Sequence, residues 1–389
     1  MLYREKVLEA LEKKREDFST YNSEYRDEAA LYTRALKELQ TLPWEAWQGR
    51  LQSDPWPGAL PSPEVAEYRS LHIPFTPRWQ SHQEARDWAY QTICATPTFA
   101  VDGSQILPSK DFSVPVALIQ VAWFENRHLP TGEYVKENRV EIRTPREIMA
   151  LEGGERLFSE ATISLHRFQM EVEVLQEYIT THSRDPLPVV FLDGSLIVSF
   201  AERLSDEYRN GYVQAILRLL RTAAEARVPL VGYIDTTYAR DLVEMLTLVG
   251  DLPPATSIHD AILVGRNFSW GDRTPFFYCR RKGILSHYED QAHALGFLYL
   301  KTTRHLPPAR LEIPCWVYEA GLLPWVVDIV RADLVIGNGY PYTIETADAA
   351  AVLTGQDREH FYRLFQEFLE REGIPLRISR KAVSKIRRR

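Results

Sequence analysis

The chain is poor in the residues and segments that define several classes of protein. Its 389 residues include three cysteines, at Cys94, Cys279 and Cys315. So few cysteines predict neither a disulfide framework nor a zinc cluster, and they fit a reducing cytoplasm. No stretch approaches the roughly 20 apolar residues that a membrane span needs, and charges interrupt the first residues where a signal peptide would be apolar. We therefore expect a soluble, cytoplasmic protein with no membrane segment.

The chain also lacks the positive charge of a general nucleic-acid binder. Its formal net charge is −7, whereas contacts to phosphates are made by Lys and Arg, so any nucleic-acid site must be local. Basic side chains without an acidic one are concentrated at the C-terminus, at Arg377, Arg380, Lys381, Lys385, Arg387, Arg388 and Arg389. This segment is either a solvated tail or an arm that contacts phosphates.

The first 90 residues differ in pattern from the rest. Residues 1–40 are charged with apolar residues at helical intervals, which predicts helix. Residues 42–63 are rich in Pro, Gly and Trp and predict a loop-rich connection whose tryptophans pack on the main body. We expect an N-terminal helical segment and connection over residues 1–90, a main α/β domain over 91–372 and a basic tail over 373–389.

Alternating strand and helix patterns predict a core that begins near Pro97. In chain order they are a strand that begins near Pro97 and ends at Asp102, strands at 114–125 and 138–144, a helix at about 155–181, a strand ending at Asp193, a helix at about 206–227, a strand at 228–235 and a helix at about 237–249. The second strand is expected to be central and the third nearer an edge. This order of elements is that of an α/β, ribonuclease-H-like fold, a mixed sheet with helices on both faces.

The part of the chain after residue 250 predicts a C-terminal elaboration of this core. Strand-like segments lie at 273–283, 296–303 and 309–318, and closing helices at about 345–353 and 357–372. A Gly-Asn-Gly sequence before the first closing helix marks a tight turn. We expect an extension of the same sheet or a lobe against it, not an independent domain.

Two aspartates share one local context in the predicted core. Asp102 and Asp193 are each expected at the carboxyl end of a strand, and each is followed by Gly-Ser. Ligand sites of α/β sheets form at the carboxyl ends of strands. Converging carboxylates repel one another unless a divalent cation neutralises them, and a pair of Mg²⁺ or Mn²⁺ ions there would serve phosphoryl transfer. The alternative is that each Asp-Gly is an ordinary turn.

Five segments, in this order, resemble the NurA family of nucleases. They are FAVDGSQILP (99–108), LHRFQMEVEVL (165–175), VVFLDGSL (189–196), RLEIP (310–314) and GYPYTIETAD (339–348). Any one of them is weak, but their order and spacing are specific, and the likeness covers roughly residues 97–355. The resemblance implies that Asp102 and Asp193 bind metal, together with a glutamate on the helix between them.

Three further positions complete the site that the resemblance implies. The helical glutamate falls on Glu171, which we favour as the third metal ligand over Glu173 because residues two apart point about 200° apart on a helix. The family's C-terminal tyrosine falls on Tyr340, where packing at a turn competes with a role in positioning phosphate or nucleotide. Asp348 stands where the family commonly has a histidine.

The aspartate at position 348 has two interpretations. In the site, Asp348 could bind a hard metal ion or hold a water, but it cannot supply an imidazolium to a leaving group. Outside the site, it could cap the helix that follows. We count Asp348 and Tyr340 with Asp102, Glu171 and Asp193 as the catalytic residues.

The resemblance implies a metal-dependent DNA nuclease with 5′-to-3′ exonuclease and single-strand endonuclease activity, using Mn²⁺ or Mg²⁺ and two ions. It further implies a homodimer that works with a HerA-type hexameric ATPase in the resection of DNA double-strand-break ends. The chain has no GxxxxGK[ST] motif, so ATP-driven translocation would come from the partner. Two alternatives are a catalytically weakened adaptor that binds DNA and the translocase, and an RNA nuclease or strand-transfer enzyme on the same fold.

Three features have weaker signals. The aromatic run FFYC (276–279) could stack bases, although aromatic side chains in strands are usually core. Asp235, at the end of a predicted strand, is either a rim residue of the site or an ordinary acidic residue. Arg167 is expected to be an ion-pair partner or a phosphate contact rather than a catalyst.

Overall fold

The structure is a computed structural model that describes residues 2–41, 44–152, 155–183 and 186–377. Its helices are, in chain order, α1 (Arg4–Glu12), α2 (Arg15–Gln40), α3 (Trp44–Leu51), α4 (Pro63–Tyr68), α5 (His82–Ile93), α6 (Pro145–Ile148), α7 (Glu160–Thr181), α8 (Asp206–Ala226), α9 (Asp241–Gly250), α10 (Asp260–Val264), α11 (Cys315–Glu319), α12 (Leu323–Ile336), α13 (Tyr342–Ala351) and α14 (Gly355–Arg371). Its strands are β1 (Gly58–Pro61), β2 (Thr98–Ile106), β3 (Ala117–Asn126), β4 (Tyr134–Arg143), β5 (Met149–Glu152), β6 (Glu155–Phe158), β7 (Val189–Asp193), β8 (Leu230–Ile234), β9 (Phe277–Arg280), β10 (Leu295–Leu300) and β11 (Ala309–Pro314). No helix among the described residues is both long enough and apolar enough to cross a membrane.

The chain divides by its contacts into two compact units. The first unit comprises Met1–Arg78 and Ile234–Cys315, and the second comprises Trp79–Tyr233 and Trp316–Arg389. The domain boundaries expected at residues 90 and 372 stay a prediction. The basic side chains from Arg380 onward lie outside the described residues, so both interpretations of the tail also stay predictions.

The second unit contains a five-stranded mixed sheet in the order β8-β7-β2-β3-β4. β3 pairs antiparallel with both β2 and β4, while β7 runs parallel to both β2 and β8. β3 is mostly buried and β4 is mostly exposed, as expected for an inner strand and an edge strand of this sheet. Three antiparallel strands followed by two parallel ones, with helices between them, confirm the predicted ribonuclease-H-like α/β fold.

Helices cover both faces of this sheet. Neighbouring residues of a strand point to opposite faces, so they contact different helices. On one face, Phe99 of β2 stacks on Tyr178 of α7 with ring centroids 3.8 Å apart. On the other face, Thr98 Oγ1 lies 2.7 Å from Thr343 Oγ1 of α13 and is hydrogen-bonded to it. α8 packs on the outer side of α7. The inner strands are thus buried on both faces.

The first unit contains an antiparallel sheet in the order β1-β9-β10-β11. α9 packs on β1, and α2 and α3 pack on α9. Tyr32 of α2 is fully buried, and its hydroxyl donates to the Pro253 carbonyl at 2.7 Å. The C-terminal half of the long N-terminal helix is therefore part of the core of this unit.

The loop predicted over residues 42–63 is wrong in part, because α3 and β1 lie within it. Trp47 and Leu51 are one helical turn apart and both are buried, so their burial favours a helix. Trp47 Nε1 donates to the Leu39 carbonyl at 2.9 Å, which confirms that this tryptophan packs on the body. The prolines delimit the short strand rather than interrupt it, and Pro61 is its last residue.

Two helices differ from the prediction for clear local reasons. The helix predicted from residue 155 begins at Glu160, because the Ser159 side chain caps it by accepting from the Thr162 N–H at 3.2 Å. Residues 155–158 form β6 and pair with β5 instead. α12 was not predicted, since most of its residues are buried, including the charged Arg331 and Asp333, and its apolar residues therefore do not form the single stripe by which a helix is recognised.

Candidate functional site

Asp102 lies in the middle of β2, not at its end. The strand continues to Ile106, and Gly103 stays paired with Val121 of β3. The turn expected at this Asp-Gly-Ser is therefore wrong. β3 supplies a hydrogen-bonding partner along the whole of β2, and this pairing overrides the local preference of Asp-Gly for a turn.

Gly103 is required for the close approach of α7 to the strand. A Cβ atom at this position would lie 2.4 Å from Glu171 Oε1 and 2.8 Å from Arg167 Cγ. Both distances are shorter than a non-bonded contact allows. The missing side chain leaves the space in which the Glu171 and Arg167 side chains lie against β2.

Glu171 is the glutamate of α7 that faces the sheet. Only 7% of its surface is exposed, whereas Glu173 is exposed to solvent. Glu171 Oε1 accepts a hydrogen bond from Arg167 Nη1 at 2.5 Å, and the same nitrogen donates to the Gly103 carbonyl at 3.0 Å. Arg167 is thus an ion-pair partner, as expected, and it also ties α7 to β2.

Burial and mutual repulsion raise the pKa of two carboxyl groups in this region. Burial raises the pKa of Glu171 to about 7; Arg167 opposes the rise, while the charges of Asp102 and Asp193 add to it. Burial also raises the pKa of Asp102 to about 6, and the carboxylates of Asp348 and Asp193 add to this rise. The four carboxyl groups therefore interact electrostatically, although they lie far apart in the sequence.

These carboxyl groups approach from different elements and from both faces of the sheet. Asp102 shares a face of β2 with Thr98, which contacts α13, whereas Glu171 extends from α7 on the opposite face. Asp193 lies at the end of the neighbouring parallel strand β7. Within the described ranges, no three His, Cys, Asp or Glu side chains are arranged so that they could hold a metal ion as placed.

Asp193 ends β7 at the position predicted from the sequence, and it is exposed. Gly194 follows with a φ of 134°, which side-chain-bearing residues rarely adopt, so the chain can turn away directly after the carboxylate. Ser195 stabilises this turn, because its hydroxyl donates to the Ile197 carbonyl at 2.7 Å. The Asp-Gly-Ser sequence is thus a strand end here and a continuous strand at Asp102.

Tyr340 follows the predicted tight turn at Gly-Asn-Gly. Asn338 and Gly339 both have positive φ, at 56° and 110°. The Tyr340 ring packs edge-to-face on Tyr233 with centroids 5.3 Å apart, and its hydroxyl donates to Asp193 Oδ1 at 3.1 Å. The packing of the ring at the turn is confirmed, while the role of Tyr340 in positioning phosphate or nucleotide stays a prediction.

Asp348 lies within α13 and is exposed. The interpretation that it caps the following helix is wrong, because Thr354 caps α14 by accepting from the Asp357 N–H at 3.2 Å. The Asp348 charge contributes to the raised pKa of Asp102. Asp348 therefore lies close enough to Asp102 for their charges to interact.

The aromatic run considered for base stacking belongs to the core of the first unit. Phe276 and Phe277 are fully buried, so the proposed stacking role is wrong for both. Asp235 also lies in the first unit, where its carboxylate accepts from the Thr236 hydroxyl at 3.4 Å, and its role at a site rim stays a prediction.

The mixed sheet and the carboxyl groups gathered beside β2 and β7 define a ribonuclease-H-like α/β protein with an acidic site. The chain belongs to the NurA family: the family model, described as the NurA domain, matches residues 96–353, which is well over half of the chain. This match confirms the resemblance inferred from the five sequence segments. Membership of the family indicates a nuclease.

Solved structures of low sequence identity are similar to the chain. A crystal structure of NurA is 10% identical, covers 70% of this chain and 88% of that one, and has a TM-score of 0.43. NurA bound to dAMP and manganese is 11% identical, with coverage of 68% and 86% and a TM-score of 0.34. The catalytic domain of human endonuclease V is 13% identical, with coverage of 86% and 100% and a TM-score of 0.33. No curated protein matches the chain.

Proposed function

We propose that the chain is a metal-dependent deoxyribonuclease in which Asp102, Glu171 and Asp193 would supply carboxylate oxygens to two Mn²⁺ or Mg²⁺ ions. The observation that supports this is the gathering of these carboxyl groups with Asp348, where burial and repulsion raise the pKa of Asp102 to about 6 and that of Glu171 to about 7. Such a cluster of negative charge is stabilised by cations. Carboxylate oxygens are the donors that both ions prefer.

The residues of the chain would divide the work at this site. Bound divalent ions supply activation of a water and stabilisation of the leaving oxygen in phosphodiester hydrolysis. Arg167 holds the Glu171 carboxylate beside β2 through its second hydrogen bond to the Gly103 carbonyl. The Tyr340 hydroxyl fixes the orientation of the exposed Asp193 carboxylate. Asp348 adds an oxygen donor or orients a water.

The substrate and partners of the proposal follow from membership of the NurA family. We propose DNA as the substrate, with 5′-to-3′ exonuclease and single-strand endonuclease activity, in the resection of double-strand-break ends. A homodimer working with a HerA-type hexameric ATPase is the corresponding assembly. The lack of a GxxxxGK[ST] motif in the sequence supports a partner that supplies ATP-driven movement.

The test is release of nucleotides from linear single-stranded and duplex DNA with and without Mn²⁺ or Mg²⁺. Labels at the 5′ or the 3′ end report the polarity. We expect Asp102→Asn and Asp193→Asn each to abolish cleavage, because an amide does not replace an anionic metal ligand. Glu173→Gln is the matched control, since this glutamate is exposed on the same helix as Glu171.

Two results would contradict the assignment. Cleavage within roughly tenfold of wild type in Asp102→Asn or Asp193→Asn, a difference of about 1.4 kcal/mol in the barrier, would remove that residue from the metal site. Cleavage that persists after removal of divalent ions with EDTA would contradict the metal dependence. Circular dichroism spectra of both variants would exclude loss of the fold as the cause of inactivity.

A catalytically weakened adaptor is the second candidate, and the aspartate at position 348 favours it. Asp348 cannot donate a proton as an imidazolium would, and its exposed charge adds to the repulsion around Asp102. An adaptor would bind DNA and the translocase but release no nucleotides with either ion. The same cleavage assay on the wild-type chain separates the two candidates.

A further inference from the structure

Three aromatic side chains of the second unit form a contiguous cluster. Phe168 of α7 packs against Tyr212 of α8 with ring centroids 5.0 Å apart. Phe200 packs edge-to-face against the same Tyr212 ring at 4.9 Å. Tyr212 is buried, whereas Phe200 is 55% exposed. The cluster therefore presents the Phe200 ring to solvent, packed on the buried Tyr212 ring, which Phe168 contacts in turn.

One side of this cluster adjoins the Glu171 end of the carboxylate site. Phe168 and Glu171 are three residues apart on α7, so they lie on the same side of the helix. The charges of Arg167 and Glu171 both act on the hydroxyl of Tyr212. The aromatic cluster and the buried ion pair are thus neighbours.

The other side of the cluster connects to Asp193. Phe200 belongs to a short 3-10 helix, Ser199–Arg203, which begins six residues after Asp193. The intervening chain is held by the Ser195 hydroxyl, which donates to the Ile197 carbonyl and accepts from the Ile197 N–H. Asp193 and Phe200 are therefore joined by a short, hydrogen-bonded segment.

We propose that Phe200 is a stacking platform for a nucleobase of single-stranded nucleic acid whose backbone lies at the carboxylate site. This inference rests on the proposed nuclease function and specifies how that site would hold its substrate. Bases of a single strand have free faces, whereas bases inside a duplex are already stacked. Phe200 therefore favours single strands and frayed ends over intact duplex.

Several physical features fit this role. Stacking on an aromatic side chain is tolerant of sequence because every base has a π face. The edge-to-face contact with Tyr212 restricts the Phe200 ring before substrate arrives, so less conformational entropy is lost on binding. The chain has a net charge of −7, which opposes binding of the negatively charged phosphates. An apolar contact with a base adds affinity that does not depend on the phosphates.

The test measures binding and cleavage with the full-length chain. Fluorescein-labelled oligo-dT of 12 nucleotides and a strand of the same length made of abasic sites are titrated in EDTA and followed by anisotropy. The variants are Phe200→Leu, which keeps an apolar side chain against Tyr212, and Phe200→Trp, which restores a stacking surface. Phe368→Leu on α14 is the matched control, because Phe368 is 45% exposed and outside the cluster.

We expect Phe200→Leu to weaken binding of oligo-dT roughly tenfold, which is within the range of one base-stacking contact. Binding of the abasic strand should be unchanged, Phe200→Trp should bind oligo-dT as wild type does, and Phe368→Leu should have no effect. In the cleavage assay, Phe200→Leu should raise KM for single strands more than it lowers kcat.

The inference is overturned if wild type does not bind oligo-dT, if Phe200→Leu binds it as tightly as wild type, or if the variant loses affinity equally for the abasic strand. Thermal unfolding of each variant shows whether a lost affinity reflects a lost fold, and Phe200→Trp provides the test if Phe200→Leu unfolds. Failure of the proposed function looks different, because wild type would then bind oligo-dT with Phe200-dependent affinity and release no nucleotides with Mn²⁺.

Discussion

Replacing Glu171 by glutamine should stabilise the metal-free protein at neutral pH while abolishing cleavage. Glu171 is almost fully buried beside Asp102 and Asp193, and its carboxylate forms an ion pair with Arg167. A buried carboxylate close to others costs free energy that a neutral amide of the same shape does not. The activity of the site would then depend on a charge that weakens the fold until cations bind.

The size of this effect follows from the raised pKa of Glu171. Its folded-state pKa is about 7, compared with an ordinary value of 4.5. This difference corresponds to about 3 kcal/mol in the free energy of unfolding. The sign follows from proton binding: the folded state keeps the proton that the unfolded state releases near pH 4.5, so stability falls as the pH rises towards 7 and then levels off. We expect wild type to lose about 3 kcal/mol relative to Glu171→Gln between pH 4.5 and pH 8.

The measurement is urea unfolding of wild type and Glu171→Gln at several pH values in EDTA, followed by circular dichroism. Comparing the two chains isolates Glu171, because every other titrating group is present in both. Glu173→Gln serves as the control and should follow wild type at each pH, since Glu173 is exposed. Added Mn²⁺ should raise the Tm of wild type more than that of Glu171→Gln, because a ligand that binds the folded state stabilises it.

Parallel stability profiles for wild type and Glu171→Gln from pH 4.5 to pH 8 would refute the reasoning. They would mean that Arg167 or water compensates fully for burial of the carboxylate. A Glu171→Gln chain that is less stable than wild type at pH 8 would show that the ion pair with Arg167 contributes net stability. After either result, only the cleavage assay would test the proposed metal site.

Three other predictions concern Gly103, Asp348 and the C-terminal tail. Gly103→Ala should displace the Glu171 carboxylate, abolish cleavage and cost about 1–3 kcal/mol in urea unfolding, because its Cβ would lie 2.4 Å from Glu171 Oε1; wild-type turnover would contradict this. Asp348→Ala should lower turnover and raise the Mn²⁺ concentration needed for half activity, and a metal titration that superimposes on wild type would remove Asp348 from the site. Deletion from Arg380 onward should weaken DNA binding and flatten its dependence on salt, and an unchanged slope would exclude phosphate contacts by the tail.

The strands of the core and their order were predictable because they depend on local patterns. The apolar run that ends at Asp193 is a buried parallel strand, and the alternation of β4 marks an edge. Three consecutive strands before the first core helix predict antiparallel pairing, and the strands that alternate with helices after it predict parallel pairing. Together they predict a mixed sheet. The start of α7 also depends on a local feature, the cap at Ser159, and it lies five residues after the start predicted from the helical pattern.

The two Asp-Gly-Ser sequences show where local patterns stop being sufficient. After Asp193 the sequence is a turn with Gly194 at a positive φ, whereas after Asp102 it continues as a strand. The difference arises from β3, which pairs with β2 beyond Asp102, and from α7, whose side chains need the space above Gly103. Neither cause is visible within three residues of sequence.

The sequence by itself determined the NurA family and the α/β class and predicted the acidic site residues, because these depend on short motifs, their order and the period of apolar residues. Only the tertiary structure decided that Asp102 interacts with Glu171, Asp193 and Asp348, that Asp348 does not cap α14 and that Phe200 is exposed and packs on Tyr212. The physical reason is that burial, electrostatic repulsion and ring packing depend on distances in space. The sheet and its two covering helices bring together residues that are up to 246 positions apart in the chain.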